Sequence, residues 1–357
     1  VTPGFWKDRS VLVTGHTGFK GTWLSLWLER MGARITGLAL DPEPGKAIYR
    51  MVTSGADSII GDIRDLETVK RAMRRSKPDV VFHLAAQALV QRSYRDPLGT
   101  YATNVMGTAH VLEAIREMPS VAAAVIVTSD KCYENRNWHW GYRETEPMGG
   151  RDPYSNSKAC SELVAAAYRS SFFEGGARSC AIATARSGNV IGGGDWSEDR
   201  LVPDMIRSFD AGDAVEIRSP EATRPWQHVL EPLSGYILLA EALSRRNSAS
   251  FAEAWNFGPR DEDCVPVRAL VGQLAARWGE GASWRIRDHS LPHEAHYLKI
   301  DASKAKTRLG WFPRLRLDEA IEWTSDWYSI ARSQGDMTAF TAGQIARYEA
   351  IGGRPTL

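Results

Sequence analysis

The segment that most restricts the fold runs Val11-Leu12-Val13-Thr14-Gly15-His16-Thr17-Gly18-Phe19-Lys20-Gly21, where a β-branched run meets three glycines at GxxGxxG spacing. It continues into a helical pattern, Thr22-Trp23-Leu24-Ser25-Leu26-Trp27-Leu28. Strand, glycine loop and helix in that order make a phosphate cradle. The glycines permit a tight turn, close approach of backbone to a pyrophosphate and close packing of helix on sheet, while free N–H groups and the positive helix end favour an anion. The expected dinucleotide site comprises Gly15, Thr17, Gly18, Phe19, Lys20 and Gly21. Asp41, 20 residues after Gly21, stands where a carboxylate binds the adenosine ribose hydroxyls and repels a 2′-phosphate. That favours NAD over NADP, although Lys20 pulls the other way as a cation able to meet a 2′-phosphate.

The rest of the first half repeats the same rhythm. Strands are expected at Val11 to Thr14, Arg34 to Leu40, Ser58 to Ile60, Val80 to Leu84, Ala123 to Ser129 and Ala181 to Ala185, with helices near 21–31, 65–75, 99–117 and 154–173. Their alternation predicts right-handed βαβ crossovers, and their near-continuous apolar character suits strands covered on both faces. The fold class is therefore α/β, a Rossmann-type doubly wound parallel sheet with a smaller α+β substrate-binding domain. The boundary falls near residue 187: 1–187 forms the dinucleotide domain, segments near 225–260 return to it, and 188–357 is mainly the substrate half. An amphipathic helix is expected near 317–332, whereas 334–357 lacks strong periodicity and reads as a loose tail or an interface segment.

In 357 residues with a formal net charge of +1, no basic stripe points to nucleic acid or a membrane surface. No apolar run approaches the ~20 residues needed to span a bilayer. Four scattered cysteines (Cys132, Cys160, Cys180, Cys264) form neither a disulfide framework nor a metal site. The N-terminal lead leaves no room for a signal peptide, and the cytoplasm is the expected compartment.

Tyr154-Ser155-Asn156-Ser157-Lys158 places a phenol and an amine four apart, on one helix face. A phenol near pKa ~10 is a poor base at neutral pH, but a neighbouring ammonium and a nicotinamide charge stabilise its phenolate. Tyr154 then removes an alcohol proton as hydride leaves. Thr128-Ser129 closes the preceding strand, where a hydroxyl shares that proton. Asp62 and Ile63 suit the adenine edge, and Ala85, Ala86 and Gln87 border the dinucleotide. Asn104, counted with the cofactor site, either braces the catalytic helix through its amide or is a satisfied buried asparagine.

The glycine spacing and the Tyr/Lys pair resemble the short-chain dehydrogenase/reductase superfamily. Thr128-Ser129-Asp130-Lys131-Cys132-Tyr133 resembles the active-site strand end of its nucleoside-diphosphate-sugar 4,6-dehydratases, where an acid and a base follow the hydroxyl residue. Many carry Asp-Glu; the Asp-Lys found here resembles the branch acting on CDP-glucose. Further segments carry the likeness, among them Trp138-His139-Trp140-Gly141-Tyr142-Arg143-Glu144, Gly192-Gly193-Gly194-Asp195-Trp196 and Arg224-Pro225-Trp226-Gln227-His228-Val229. The resemblance implies that Asp130 is the acid and Lys131 the base of a water elimination that follows oxidation at C4 of a hexose. It implies a retained NAD, a role in deoxysugar synthesis such as that of lipopolysaccharide O-antigen, and a homo-oligomer paired through helices 99–117 and 154–173. It also implies substrate contacts at Asn189, Arg200, Leu201, Arg224, Asn256, His293 and Tyr297; the motif loops put Trp138, Trp140 and Trp196 forward as sugar-stacking candidates. Two rivals stand beside it. A nucleotide-sugar 4-epimerase shares Ser129, Tyr154 and Lys158 without needing Asp-Lys, and a non-catalytic NAD-sensing or scaffold protein needs none of the chemistry.

Overall fold

A computed structural model describes residues 1–42, 47–174, 180–245, 248–287 and 296–352. Its centre is a seven-stranded parallel sheet of β1 (Ser10–Thr14), β2 (Arg34–Ala39), β3 (Asp57–Ile60), β4 (Val80–His83), β5 (Ala123–Val127), β6 (Ala181–Ser187) and β7 (Ala254–Phe257), in the order β7-β6-β5-β4-β1-β2-β3. Thr14 lies opposite both Leu38 and His83, and Val127 lies opposite Ala185, so the strands end together along one edge.

Alternation along the strands feeds two cores. Val11, Val13, Val80, Phe82, Val125 and Ala183 face the helices Phe19–Arg30, Leu230–Leu243 and Leu317–Arg332. Leu12, Val81, Ala124, Ile126 and Ile182 face the helices Leu66–Ser76, Gly107–Glu117 and Pro153–Tyr168. Each fully buried aliphatic side chain contributes roughly 1.5–3 kcal/mol, so both faces hold the sheet rigid beneath its loops.

β5 ends two residues earlier than the sequence predicts, at Val127. Ser129 leaves the ladder because its hydroxyl accepts the Lys131 N–H and caps the short turn Asp130–Cys132. The helix expected at 99–117 contains a π turn, Ala102–Met106, between helices Pro97–Tyr101 and Gly107–Glu117.

The second half adds helices Leu201–Ala211 and Val267–Trp278 and three short strand pairs, including Val190–Ile191 beside Gln227–His228 and Thr223–Pro225 beside Cys264–Pro266. Of the two readings of 334–357, a loose tail or an interface segment, the loose tail is corrected for 337–350, while 353–357 lie outside the described residues. Met337–Ala350 is a helix with Met337, Thr341, Gln344, Ile345 and Tyr348 buried. Two of those inward residues are polar and find partners inside: Trp327 Nε1 donates to Thr341 Oγ1 at 2.9 Å, and Gln344 Nε2 donates to the Trp323 carbonyl at 2.8 Å. An inward face of this composition gives a weak apolar period. Among the described residues, no helix is long and apolar enough to cross a membrane.

Candidate active site

The glycine loop is built as a cradle. Gly15 has φ +77°, and a Cβ there would lie 2.7 Å from the Ala85 nitrogen; a Cβ on Gly21 would lie 2.0 Å from the Gly15 carbonyl oxygen. Gly18, at the helix cap, has no side chain to accept from the first-turn amides of Phe19, Lys20 and Gly21, which are left for an anion. Thr17 Oγ1 donates to the Leu40 carbonyl at 3.0 Å and ties the loop to the end of β2, where Asp41 is exposed and only loosely paired with Arg50 at 3.4 Å. This backbone fits a dinucleotide pyrophosphate, with the Asp41 carboxylate open to a ribose.

Other expected cofactor contacts are used differently. The Ile63 side chain is buried, sits under Gly107 and lends its carbonyl to His110, so its side chain is a core position and only its backbone N–H is left to face an adenine edge. Asp62 is engaged by Arg64 at 2.6 Å, and that hydrogen bond holds its carboxyl below the usual range. Ala85 and Ala86 follow β4 at the sheet edge, the Ala85 N–H donating to Thr14 Oγ1 at 3.2 Å. The Gln87 amide is spent on Leu89 and Thr100. Asn104 is buried: Oδ1 accepts the Gln87 N–H at 2.8 Å, and Nδ2 donates to the Gln87 carbonyl and to Ser157 Oγ at 2.8 Å. It is a brace between the β4 loop and the catalytic helix rather than a cofactor contact.

At the carboxyl ends of the strands lies a cavity of about 490 Å³ whose walls include Lys20, Ser129, Asp130, Lys131, Tyr154, Asn189, Arg200, Leu201 and Arg224. Tyr154 and Lys158 come from helix Pro153–Tyr168, started by Pro153 and by the Asp152 carboxylate, which accepts the Ser155 N–H. Burial raises the Tyr154 phenol above its ordinary value, while a hydrogen bond with Ser129 and the charge of Arg200 act in the opposite sense. The lowering expected for this phenol rests on a neighbouring ammonium and a nicotinamide charge together; among the protein's own groups, burial outweighs what opposes it. Lys158 lies on the same helix, buried, with Nζ donating to the Val127 carbonyl at 3.3 Å. Burial pushes its ammonium down to about 8, and Glu162 counters that.

Asp130 is buried. Ser129 Oγ donates to its Oδ1 at 3.1 Å, while Oδ2 has no hydrogen-bond partner. Burial raises its carboxyl, opposed by Lys131, Ser129, Arg224 and Lys20 in that order. A carboxyl raised by burial in a cavity holds its proton to higher pH than an exposed one, which is what a general acid needs. Lys131 is half-buried in the same wall.

Lys20 departs from expectation. Its amine reaches Ser187 Oγ at 3.0 Å, on the cavity wall at the last residue of β6, instead of turning toward Asp41 and a ribose 2′-phosphate. Arg200 is held by the buried Asp195 at 2.8 Å, and Arg224 NH1 donates to the Thr223 carbonyl at 2.9 Å.

Five further candidates are not brought to the cavity. Asn256 is corrected to a structural residue: it is buried, its amide donates to the carbonyls of Tyr142 and Asp301, and it accepts from Tyr133 at 2.7 Å. Tyr297 is outside the cavity wall, packed edge-on against His139 with its carbonyl accepting from Asn135; Leu298 lines the wall in its place. Trp138 stacks on Tyr142, Trp140 leans on Trp138, and Trp196 packs edge-on against Tyr328; none of the three is in the wall. His293 lies outside the described residues. Sequence reasoning missed Glu162, one helical turn beyond Lys158, which accepts from Thr128, Thr184 and Arg186. The signal was present as a third helix-face position after Tyr154 and Lys158.

A Rossmann sheet with a phosphate loop, a Ser/Tyr/Lys group and a buried acid at its carboxyl edge defines a nucleotide-dependent enzyme of the extended short-chain dehydrogenase/reductase class. A family model described as GDP-mannose 4,6 dehydratase matches residues 12–324, and the chain belongs to that family. It is 50% identical over 353 residues, 98% of each chain, to a CDP-glucose 4,6-dehydratase of Salmonella typhimurium. It is 27% identical over 337 residues, 89% of this chain and 92% of the relative, to a dTDP-glucose 4,6-dehydratase of Xanthomonas campestris. The fold matches a dTDP-glucose 4,6-dehydratase from Streptomyces venezuelae, solved with NAD bound, at TM-score 0.78 and 23% identity over 91% of this chain and 98% of that one. An epimerase of Methanothermobacter thermautotrophicus gives TM-score 0.82 at 23% identity, over 93% and 95% of the two chains.

Proposed function

We propose that this protein is a CDP-glucose 4,6-dehydratase, converting CDP-D-glucose to CDP-4-keto-6-deoxy-D-glucose with a retained NAD. The carrying observation is the buried Asp130, its carboxyl raised by burial and its Oδ2 open, in the same cavity as Ser129, Lys131 and Tyr154. The half-identical Salmonella relative supports the choice of substrate. An epimerase needs no such acid.

When bound, NAD supplies a two-electron acceptor that is reduced and re-oxidised within one turnover. The backbone of Gly15, Thr17, Gly18, Phe19, Lys20 and Gly21 would form its phosphate loop, the Lys20 side chain turning away to Ser187, and Asp41 its ribose contact. Tyr154 takes the C4 hydroxyl proton, Ser129 sharing it, and Lys158 keeps positive charge under the phenolate. The C4 carbonyl acidifies the C5 hydrogen, since the carbanion beside it is an enolate. Lys131 takes that proton, Asp130 gives its own to the C6 oxygen, and water leaves. Lys131 returns its proton to C5 as C6 is reduced. Asn189, Arg200, Leu201 and Arg224 stand where the nucleoside diphosphate enters, and cations there suit its phosphates.

We assign residues 1–187, with the 225–260 segment, to the dinucleotide half and 188–357 mainly to substrate binding. The four cysteines are free thiols, which supports a cytoplasmic location. A homo-oligomer, dimer or tetramer, is supported by exposed Leu98, Met106, Leu163 and Phe172 on the two helical segments expected to pair. The product serves deoxysugar synthesis, including that of O-antigen.

The test is incubation with CDP-, dTDP-, UDP- and GDP-glucose, followed by the absorbance of the 4-keto sugar in alkali. Product from CDP-glucose is expected. No product from any of the four, or epimerised hexose in its place, overturns the proposal.

A further inference from the structure

Lys20 starts in the helical turn that meets the cofactor phosphates, yet its amine ends on Ser187 Oγ, 3.0 Å away at the exit of β6. The Ser187 hydroxyl is itself fixed by Tyr236 OH at 2.7 Å. One residue on, a Cβ added to Gly188 would lie 2.6 Å from Asp130 Oδ2, the buried oxygen without a partner. The Lys20 amine and the open oxygen of Asp130 therefore converge on two consecutive residues of one strand exit. Among the described residues, no carboxylate stands within ion-pair distance of Lys20, so this half-buried lysine on the cavity wall has no permanent counter-ion.

We propose that Lys20 is a positioning residue for the elimination step, its charge holding the Asp130 carboxylate that remains once the acid proton has passed to the C6 oxygen. The proposal rests on Asp130 being that acid. Giving up a proton creates an anion in a place water does not reach, and such an anion is costly unless a cation stands by. The proton leaves Asp130 with the departing oxygen as water, and no other bond at Asp130 or Lys20 changes. Burial, then repulsion from Arg200 and Lys158, push the Lys20 ammonium down to about 7, while Asp130 and Asp195 act the other way. The amine is thus divided between its two forms near neutrality, and its charged form is the one that holds the anion. In return Lys20, together with Lys131 and Arg224, lowers an Asp130 carboxyl that burial raises.

The experiment is Lys20→Met, which keeps the stem and removes the charge, with Lys20→Gln as the variant that keeps a hydrogen bond to Ser187 should Met fail to fold. Stopped-flow absorbance of NADH with CDP-glucose separates C4 oxidation from elimination. NADH is expected to form at the wild-type rate and to decay about tenfold more slowly, the counterpart of a shift of about one pKa unit. Removing a cation raises a neighbouring carboxyl, so the alkaline limb of the decay moves to higher pH. The infrared band of the protonated Asp130 carboxyl, followed without substrate, moves by the same amount. NAD affinity, read from tryptophan fluorescence, is expected to be unchanged. Weakened NAD binding with normal decay makes Lys20 a ligand of the cofactor phosphates and overturns the proposal. Slower decay with neither the limb nor the band displaced makes its role one of packing and overturns it too. Asp130→Asn is read separately: full turnover by that variant removes Asp130 as the acid whatever Lys20 does.

Discussion

Arg186 and Glu162 form a buried ion pair, NH2 donating to Oε2 at 2.7 Å, one helical turn beyond Lys158. The same carboxylate accepts from Thr128, next to Ser129 at the end of β5, and from Thr184 on β6, so one acid ties two strand ends to helix Pro153–Tyr168. Glu162→Gln leaves the Arg186 guanidinium without its counter-ion. A loss of about 3–5 kcal/mol is expected in urea unfolding, as for other broken buried pairs. Losing that anion also lowers Lys158 further, so the alkaline limb of C4 oxidation moves to lower pH.

Tyr154→Phe and Lys131→Ala separate the two halves of the reaction. Without the phenol, C4 oxidation stops and no NADH absorbance appears on mixing with CDP-glucose. Without the Lys131 amine, oxidation proceeds and elimination slows by about 10²–10⁴-fold, so NADH accumulates. Normal turnover of Lys131→Ala would remove it as the C5 base.

The pH profile of C4 oxidation follows Lys158. Burial moves its ammonium from 10.5 to about 8, so the charge beneath the phenol is present below that value and is lost above it. The single-turnover oxidation rate should fall as pH rises through about 8. The stability contribution has the opposite sense: between about 8 and 10.5 the unfolded chain binds the extra proton, so on account of this lysine the fold gains stability with rising pH. Urea midpoints of wild type and Lys158→Met across that window check the sign.

Gly21→Ala tests the cradle. The added carbon would stand 2.0 Å from the Gly15 carbonyl, backbone that cannot swing aside as a side chain can. NAD affinity should drop at least about tenfold, a loss of roughly 1.4 kcal/mol, as read by fluorescence titration.

The sheet was legible because its signals are local. β1, β2, β4 and β6 announce themselves as apolar β-branched runs, and the Gly15–Gly21 loop and the Tyr154/Lys158 pair depend only on spacing along the chain. What stayed hidden depends on what the chain meets after folding. Nothing near Asn256 in sequence reveals that Tyr133, Tyr142 and Asp301 consume its amide. Nothing near Lys20 shows that its stem crosses toward Ser187, 167 positions away. The last helix hid because Thr341 and Gln344 stand on its inward face, the Thr341 hydroxyl and the Gln344 Nε2 met by tryptophans of a neighbouring helix.

The π turn at Ala102–Met106 sets a constraint on anyone shortening this region. A π turn carries one residue more than regular helix needs, and Asn104 sits inside it, gripping Ser157 and Gln87 at once. Deleting a single residue there would restore an uninterrupted helix and turn everything on one side by roughly 100° relative to the other. The grip would come apart though every active-site side chain were still encoded, so insertions and deletions should be far less tolerated across these five positions than substitutions on the helix surface.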